Sequence, residues 1–315
     1  MEDKMKSVFM GTPDFAAGSL KALIDAGHEI TAVVTQPDKP KGRSKELVPS
    51  PVKVCAKKHG IPVLQPKRIK TAEAVGELKG YEADIYIVAA FGQILTQEIL
   101  DIPHYGCLNI HASLLPKYRG ASPIQHVIID GEEKTGVTIM QMDAGIDTGD
   151  MLYKKEIPIE SWDDYETLHD KLTVLGAEAV VEALELLVKG KLKPEKQKED
   201  LSCYAPLIDK AMGKIDFSRD ALTIDRKIRG MTPWPSAFTG YRGKQLKIWR
   251  SDPDMEADAS GKPGEILLVD KDRVTVAAGR GVVHIYDLQL EGKKRMTAHD
   301  FLLGVKMKPG EMLEI

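Results

Sequence analysis

The chain carries few of the signatures that would settle its class at once. Its longest apolar run, around Ile85 to Ala90, is far short of the roughly 20 residues a membrane-spanning helix needs, so no membrane partner is expected. The opening MEDKMKSVFM mixes acids and bases and has no apolar core of a secretory signal. Cysteine is scarce. Cys55, Cys107 and Cys203 are odd in number, far apart and without metal-ligand spacing, which points to a soluble, reduced, cytoplasmic protein and to no metal. The first apolar run ends in Gly11-Thr12-Pro13 rather than G-x-G-x-x-G, and no Walker A string exists. Neither a dinucleotide nor an ATP site is expected. The net charge of −3 gives no global field to draw a polyanion.

What is present suffices for a folded core. Apolar residues make up 43% of 315 positions, enough for two domains. Short apolar runs at Ser7–Met10, Ile30–Thr35, Pro62–Leu64, Ile85–Ala90, Cys107–His111 and Val137–Met142 alternate with amphipathic stretches. That rhythm predicts a Rossmann-like α/β domain built on a mostly parallel sheet with both faces covered. A long helix is expected from about Trp162 to Lys189, where Leu168, Leu172, Leu175, Ala179 and Leu186 recur at helical spacing and Gly190 stops the run. Residues 191–207 are polar and charged with Pro194 and Pro206, and read as a linker. From 208 to 315 a short helix (221–230) precedes strand-like runs near 236–241, 244–250, 264–269, 273–278 and 282–288. Many short strands in so small a space suggest a second domain that is a small β-barrel.

Ligands of parallel sheets sit beyond the carboxyl ends of the strands. Gly11–Pro13, Phe91-Gly92-Gln93 and Asn109–His111 all lie at such ends. In CLNIH, Leu108 and Ile110 alternate with Asn109 and His111, so the amide and the imidazole project to the same side. Their attachment points are about 6.6–6.8 Å apart, a gap in which one reacting oxygen or nitrogen can sit about 3 Å from each. A lone strand histidine is more often structural than catalytic. Here the chain breaks into a loop at Ser113–Pro116 and resumes after Arg119-Gly120 with a helix opened by Ser122-Pro123. Cys107 shares the face, but about 13 Å of strand separates it from His111, too far for a thiol nucleophile and its base. Downstream, Val137–Met142 reads as another strand, followed by Asp143-Ala144-Gly145 and Asp147-Thr148-Gly149-Asp150. Either Asp143 or Asp147 can be a plain turn former. Asp147 matters only if its loop folds back over Asn109 and His111.

Charge is unevenly distributed. Residues 208–315 hold 19 Lys/Arg against 16 Asp/Glu, so the first 207 positions are net acidic. Between Thr35 and Lys58 there are nevertheless seven Lys/Arg and two Asp/Glu. Within that stretch Lys39, Lys41, Arg43 and Lys45 alternate with Pro, Gly and Ser, which predicts an arm that forms neither helix nor strand. Phosphate neutralisation acts over a Debye length of about 8–10 Å, so a local basic arm can engage RNA on an acidic protein. A merely solvated surface loop is the plain alternative.

Together these strings resemble the methionyl-tRNA formyltransferase family along the whole chain. The resemblance runs through GTPDFA (11–16), TQPDKPKGRSK (35–45), PSPVK (49–53), AAFGQIL (89–95), NIHASLLPKYRGASPIQ (109–125) and TGVTIMQMDAGIDTGD (135–150), then IDFS (215–218) and IRGMTPWPSAFT (228–239). Ser44 and Ser236 stand where glycine is common in the family pattern, Phe91 where tyrosine is, and Leu207 where lysine often is. The resemblance implies formyl transfer from 10-formyltetrahydrofolate, as co-substrate, to the α-amino group of methionyl initiator tRNA. It implies Asn109, His111 and Asp147 as the catalytic set, with Asp147 orienting His111 or a water. It also implies a folate pocket lined by Ser113, Leu114, Leu115, Pro116, Phe91, Gly92, Gln93 and Ile94, a tRNA-binding arm at Lys39, Lys41, Arg43 and Lys45, and an OB-like second domain that binds tRNA. The expected division is a catalytic domain over 1–190, a linker over 191–207 and the OB-like domain over 208–315, in a monomer. Two rivals remain: a folate-dependent formyltransferase or hydrolase acting on a small molecule such as a sugar nucleotide or glycinamide ribonucleotide, and a non-catalytic RNA-binding protein.

Overall fold

A computed structural model describes residues 5–41, 46–257 and 260–314. The chain divides into two compact units. The first comprises Met1–Pro123, Lys134–Pro158 and His169–Ala205, and the second Ile124–Glu133, Ile159–Leu168 and Pro206–Ile315.

The elements in chain order begin with β1 (Lys6–Gly11), α1 (Asp14–Asp25), β2 (Glu29–Val34), β3 (Lys39–Lys41), β4 (Glu46–Val48), α2 (Pro51–Lys58), β5 (Val63–Leu64) and α3 (Ala72–Lys79). They continue with β6 (Ile85–Ala89), α4 (Gln97–Leu100), β7 (Cys107–His111), β8 (Arg119–Gly120), α5 (Pro123–Asp130), β9 (Lys134–Gln141), β10 (Met151–Pro158) and α6 (Tyr165–Val188). The first unit is built on a seven-stranded sheet in the order β10-β9-β7-β6-β1-β2-β5. Strands β5, β2, β1, β6 and β7 run parallel, whereas β9 is antiparallel to β7 and β10 to β9. The expected mostly parallel sheet is present. Edge strand β10 was not anticipated. Its MLYKKEIP sequence carries three charges and is buried only at Met151, as sheet edges commonly are, so it lacks the apolar run that marks buried strands.

Two faces of β7 diverge. Cys107 lies in a core cluster with Tyr86, Val88, Ile99 and Leu100. On the other side, a Cβ added at Gly176 of α6 would meet Ile110 at 3.3 Å, so that helix lies close over Ile110. The expected alternation is therefore physical, with Ile110 under a helix and Asn109 facing away from it.

The basic segment departs from expectation. Lys39–Lys41 pairs antiparallel with Glu46–Val48 as a short ladder, so Lys39 and Lys41 lie on strand β3; Gly42, Arg43, Ser44 and Lys45 lie outside the described residues. The polar stretch 191–207 also carries more bonding than a tether has. Glu195 exchanges two backbone hydrogen bonds with Met151, both 2.8 Å, and Arg119 N–H donates to Cys203 O at 2.9 Å. Strand β11 (Tyr204–Ala205) runs parallel to β8. Composition alone missed this because the bonding is through the backbone, which charged side chains do not betray.

The second unit holds α7 (Ala221–Met231), then β12 (Ala237–Tyr241), β13 (Lys244–Asp254), β14 (Ile266–Val269), β15 (Val274–Ala277), β16 (Val282–Leu290), β17 (Met296–Thr297) and α8 (Ala298–Gly304). Strands β12-β13-β16-β15-β14 form an antiparallel sheet, packed over Phe217, Ile224, Ile228, Ile248, Ile285 and Phe301. The C-terminal residues link its two edge strands, since Glu314 N–H donates to Gly240 O and Ile266 N–H to Glu311 O, each at 2.8 Å. Ser236, at a glycine-favoured position of the family pattern, has φ 71°. That is the left-handed region that glycine adopts most readily, and the Ser236 hydroxyl donates to Pro233 O at 3.0 Å.

Glu311 fixes this terminal segment. Its carboxylate accepts from Tyr241 Oη at 2.8 Å, from Lys308 N–H at 2.9 Å and from Arg242. The Arg242 and Tyr241 hydrogen bonds pull its carboxyl down to about 2, whereas an unfolded glutamate titrates near about 4.3. A depressed folded pKa gives stability that is complete above the unfolded value and is lost as pH falls toward the folded one. The melting-temperature gap between the parent and Glu311→Gln should therefore be widest above about pH 5 and close toward pH 2. A pH series of thermal unfolding curves checks this, and a gap that does not change with pH contradicts it.

Candidate active site

Strand β7 is held between β6 and β9, with Asn109 opposite Val88 and Met140 and His111 opposite Thr138. Pairing on both edges at Asn109 and with β9 at His111 fixes the backbone from which the amide and the imidazole project. After β9 the chain forms a loop, and its two aspartates part company. Asp143 Oδ1 accepts from Gly145 N–H at 3.0 Å and Thr148 Oγ1 at 2.7 Å, which is local turn chemistry. Asp147 folds back over β7.

The Asp147 carboxylate has only 16% of its side-chain surface exposed. Oδ1 accepts from Asn109 Nδ2 at 3.3 Å and Oδ2 from Gly120 N–H at 2.8 Å. His111 Nδ1 lies 3.6 Å from Oδ2. On the far side of the buried ring, His111 Nε2 lies 2.9 Å from Tyr118 O. A carbonyl only accepts, so Nε2 carries a hydrogen and the proton that can come and go sits at Nδ1, the nitrogen facing Asp147. Asn109, His111 and Asp147 thus meet at one point. Asp147 has φ 53°, a left-handed conformation that is uncommon outside Gly, Asn and Asp.

Cys107 is excluded chemically as well as by distance. Burial pushes its thiol up to about 12, and a thiol that does not ionise is no nucleophile.

The residues expected around folate are variously engaged. Ser113 Oγ donates to Lys117 O at 2.7 Å, and Leu115 is buried against Met140 and Met151. Leu114 and Pro116 are half-buried. Phe91 is buried and its carbonyl accepts from Thr12 Oγ1 at 3.2 Å and Gln36 Nε2 at 3.1 Å. Gln93 accepts from Ile69 N–H at 2.7 Å and donates to Pro66 O at 3.1 Å. Gly92 turns the loop at φ 79°, and Ile94 stands exposed. Phe91 and Gln93 therefore hold the loop's shape, and the apolar surface it offers is that of Ile94. The base of the arm is anchored too. Asp38 binds Lys53 Nζ at 2.6 Å and Gln65 Nε2 at 2.8 Å, contacts that hold its carboxyl below the usual range. Lys39 is exposed on β3 and Lys41 ends that strand. Among the described residues no group of three or more His, Cys, Asp or Glu is placed to hold a metal.

Sequence reasoning missed three contributors: Gly120 N–H, Tyr118 O and Gln197. The first two act through backbone, which has no residue signature. Gln197 lies in the charged run KPEKQKED, where nothing in the pattern singles it out.

Residues 5–184 match a family described as formyl transferase, and residues 207–306 match the formyl transferase C-terminal domain. The methionyl-tRNA formyltransferase of Citrifermentans bemidjiense is 53% identical over 98% of this chain and 96% of its own length. That of Geobacter sulfurreducens is 50% identical over the same shares. The chain belongs to the methionyl-tRNA formyltransferase family. As an enzyme of that family it transfers formyl groups, and the three side chains gathered at β7 lie within the first matched region. Among solved structures, HypX from Aquifex aeolicus in complex with tetrahydrofolic acid resembles it in fold, with a TM-score of 0.66, 20% identity and coverage of 99% of this chain and 51% of that one. No helix among the described residues is long and apolar enough to cross a membrane.

The geometry of the Asp147 loop is tightly bounded. A Cβ at Gly149 would lie 1.8 Å from Gln141 O on β9, so Gly149→Ala must lift the loop off that strand. Displacement of a reacting group by about 1 Å can cost 10²-fold in rate. Gly149→Ala is expected to lower turnover by roughly 10- to 100-fold with an unchanged far-UV circular dichroism spectrum. Turnover at the parent's level would show that the loop position is not critical.

Proposed function

We propose that the enzyme moves the formyl group of 10-formyltetrahydrofolate onto the α-amino nitrogen of methionyl initiator tRNA, and so serves translation initiation in the cytoplasm as a monomer. The observation that carries the catalytic reading is the folding of Asp147 onto Asn109 and His111. The α-amino group titrates near about 7.7–8.0, so a usable neutral fraction exists at neutral pH. Its nitrogen attacks the formyl carbon, the new C–N bond forms, and negative charge grows on the formyl oxygen. Asn109 Nδ2 has two hydrogens, of which Asp147 takes one, and the other is available to that oxygen. His111 acts through Nδ1. The neutral ring, with its hydrogen on Nε2 toward Tyr118 O, takes at Nδ1 the proton the amine loses, and Nδ1–H can then donate to the oxygen or pass the proton on. As the bond to folate N10 breaks, that nitrogen takes up a proton from the same relay.

Residues 1–190 are assigned to catalysis and 208–315 to tRNA binding, with 191–207 between them. Lys39, Lys41, Arg43 and Lys45 are assigned to the tRNA acceptor end. Arg43 offers a planar fork that pairs with phosphate or a base edge where lysine offers a point charge. A net charge of +5 between Thr35 and Lys58 supports this reading over a small-molecule acceptor, which gives such an arm no purpose.

Loss of one oxyanion donor costs roughly 10²–10³ in turnover, and Asn109→Ala, His111→Ala and Asp147→Ala are each expected to lose that much with little change in tRNA affinity. Near-parental turnover in any of them removes that residue from the mechanism. Neutralising the four arm residues should raise KM for methionyl-tRNA, leave folate affinity unchanged and flatten the salt dependence of tRNA binding. An arm variant that formylates methionyl-tRNA like the parent would instead favour the small-molecule reading.

A further inference from the structure

Between residues 193 and 200 every side chain is exposed except Gln197. This segment falls between the two family matches, which end at 184 and resume at 207. Both N–H donors of Gln197 and its carbonyl oxygen are engaged. Nε2 donates to Asp147 O at 2.7 Å and to Gly149 O at 2.8 Å, and Oε1 accepts from Arg119 Nε at 2.9 Å. The orientation of the amide follows from its partners. Reversed, Oε1 would face two carbonyls and Nε2 a guanidinium, with no hydrogen bond made.

Arg119 is itself buried, and its Nη1 bonds both Glu199 oxygens at 3.2 and 2.9 Å. The next residue, Gly120, sends its N–H to Asp147 Oδ2. A closed circuit results. From the Asp147 carboxylate it runs through Gly120 to Arg119, from the Arg119 guanidinium to Gln197, and from the Gln197 amide back to the Asp147 carbonyl. One end of Asp147 is held by its side chain and the other by its backbone, across a residue whose φ of 53° is a conformation of low intrinsic preference.

We infer that Gln197 is a positioning residue for the reaction, acting through Asp147: its amide clamps the 147–149 backbone so that the carboxylate stays aimed at Asn109 and His111. A primary amide suits the position because it alone joins two donors and an acceptor in one plane. Glutamate keeps the acceptor for Arg119 but, ionised, turns a negative charge on two carbonyls. Leucine keeps the volume and loses every bond.

The inference rests on the role proposed for Asp147, and the test separates the two. In the full chain, Gln197→Leu is expected to lower kcat by roughly 10- to 100-fold, with KM for methionyl-tRNA and for folate within about 2-fold of the parent, because the substrates' own contacts are untouched. Gln197→Glu should stay impaired across neutral pH, since a glutamate ionises at about 4.3 and its carboxylate keeps the acceptor for Arg119 but cannot donate to the Asp147 and Gly149 carbonyls; parental kcat in that variant also contradicts the clamp. In an Asp147→Ala background, measured under single turnover, Gln197→Leu should cost less than about 2-fold further, as expected when two residues act as one unit. If Gln197→Leu keeps parental kcat while Asp147→Ala is impaired, the inference fails and the role of Asp147 stands. A full additional loss in the Asp147→Ala background also overturns it. If Asp147→Ala is itself at parental turnover, the proposed role of Asp147 fails, and this inference with it.

Discussion

A carboxylate taken out of water must recover its lost hydration in hydrogen bonds, and that requirement at Asp147 organises much of the first unit. Its partners come from three separate places: Asn109 on β7, Gly120 on β8, and, through the backbone, Gln197 on a later segment. Each needs its own support. Pairing with β6 and β9 fixes Asn109, pairing with β9 fixes His111, and the β8–β11 ladder fixes Gly120. Glu195 is tied to Met151 on the strand that leaves the Asp147 loop. His111 is drawn into the same order, because the carbonyl of Tyr118 fixes which of its nitrogens keeps a proton.

A second constraint acts on the loops further along the strand ends. Thr12, Gln36 and Phe91 share hydrogen bonds, and Gln65 joins Gln36 to Asp38. The loops after β1, β2 and β6 are thereby cross-linked by side-chain amides and hydroxyls. Such bonds are directional, so they set where each loop sits. Apolar packing beneath them, around Met10, Val34 and Val88, supplies cohesion and leaves direction to the polar layer.

How legible the molecule was in its sequence depends on the range of the interaction concerned. Asn109 and His111 stood out because alternation is a nearest-neighbour pattern, and the five parallel strands did because buried strands are apolar runs. The long helix from Tyr165 and the short strands after 236 were visible for the same reason. Strand β10 escaped through its charged edge residues. Asp147 could not be told from Asp143 by composition, because both follow turn chemistry, and only the path of the loop distinguishes them. Residues 195–205 were the hardest to read: their bonding is through peptide groups and one amide, in a stretch whose polarity signals solvent.

Chain order gives the Gln197 contact a further meaning. The bond from Gln197 to Asp147 spans 50 positions, and a chain made from its N-terminus exposes β7 and the Asp147 loop well before residues 195–205 exist. At about 5–20 residues per second, several seconds of synthesis pass in which Asn109, His111 and Asp147 are present and Gln197 is absent. The site is finished only when Ala205 has emerged, one residue before the second unit's last segment begins at Pro206. A fragment ending at Val188 would hold Asn109, His111 and Asp147 and would still lack the part that sets their aim.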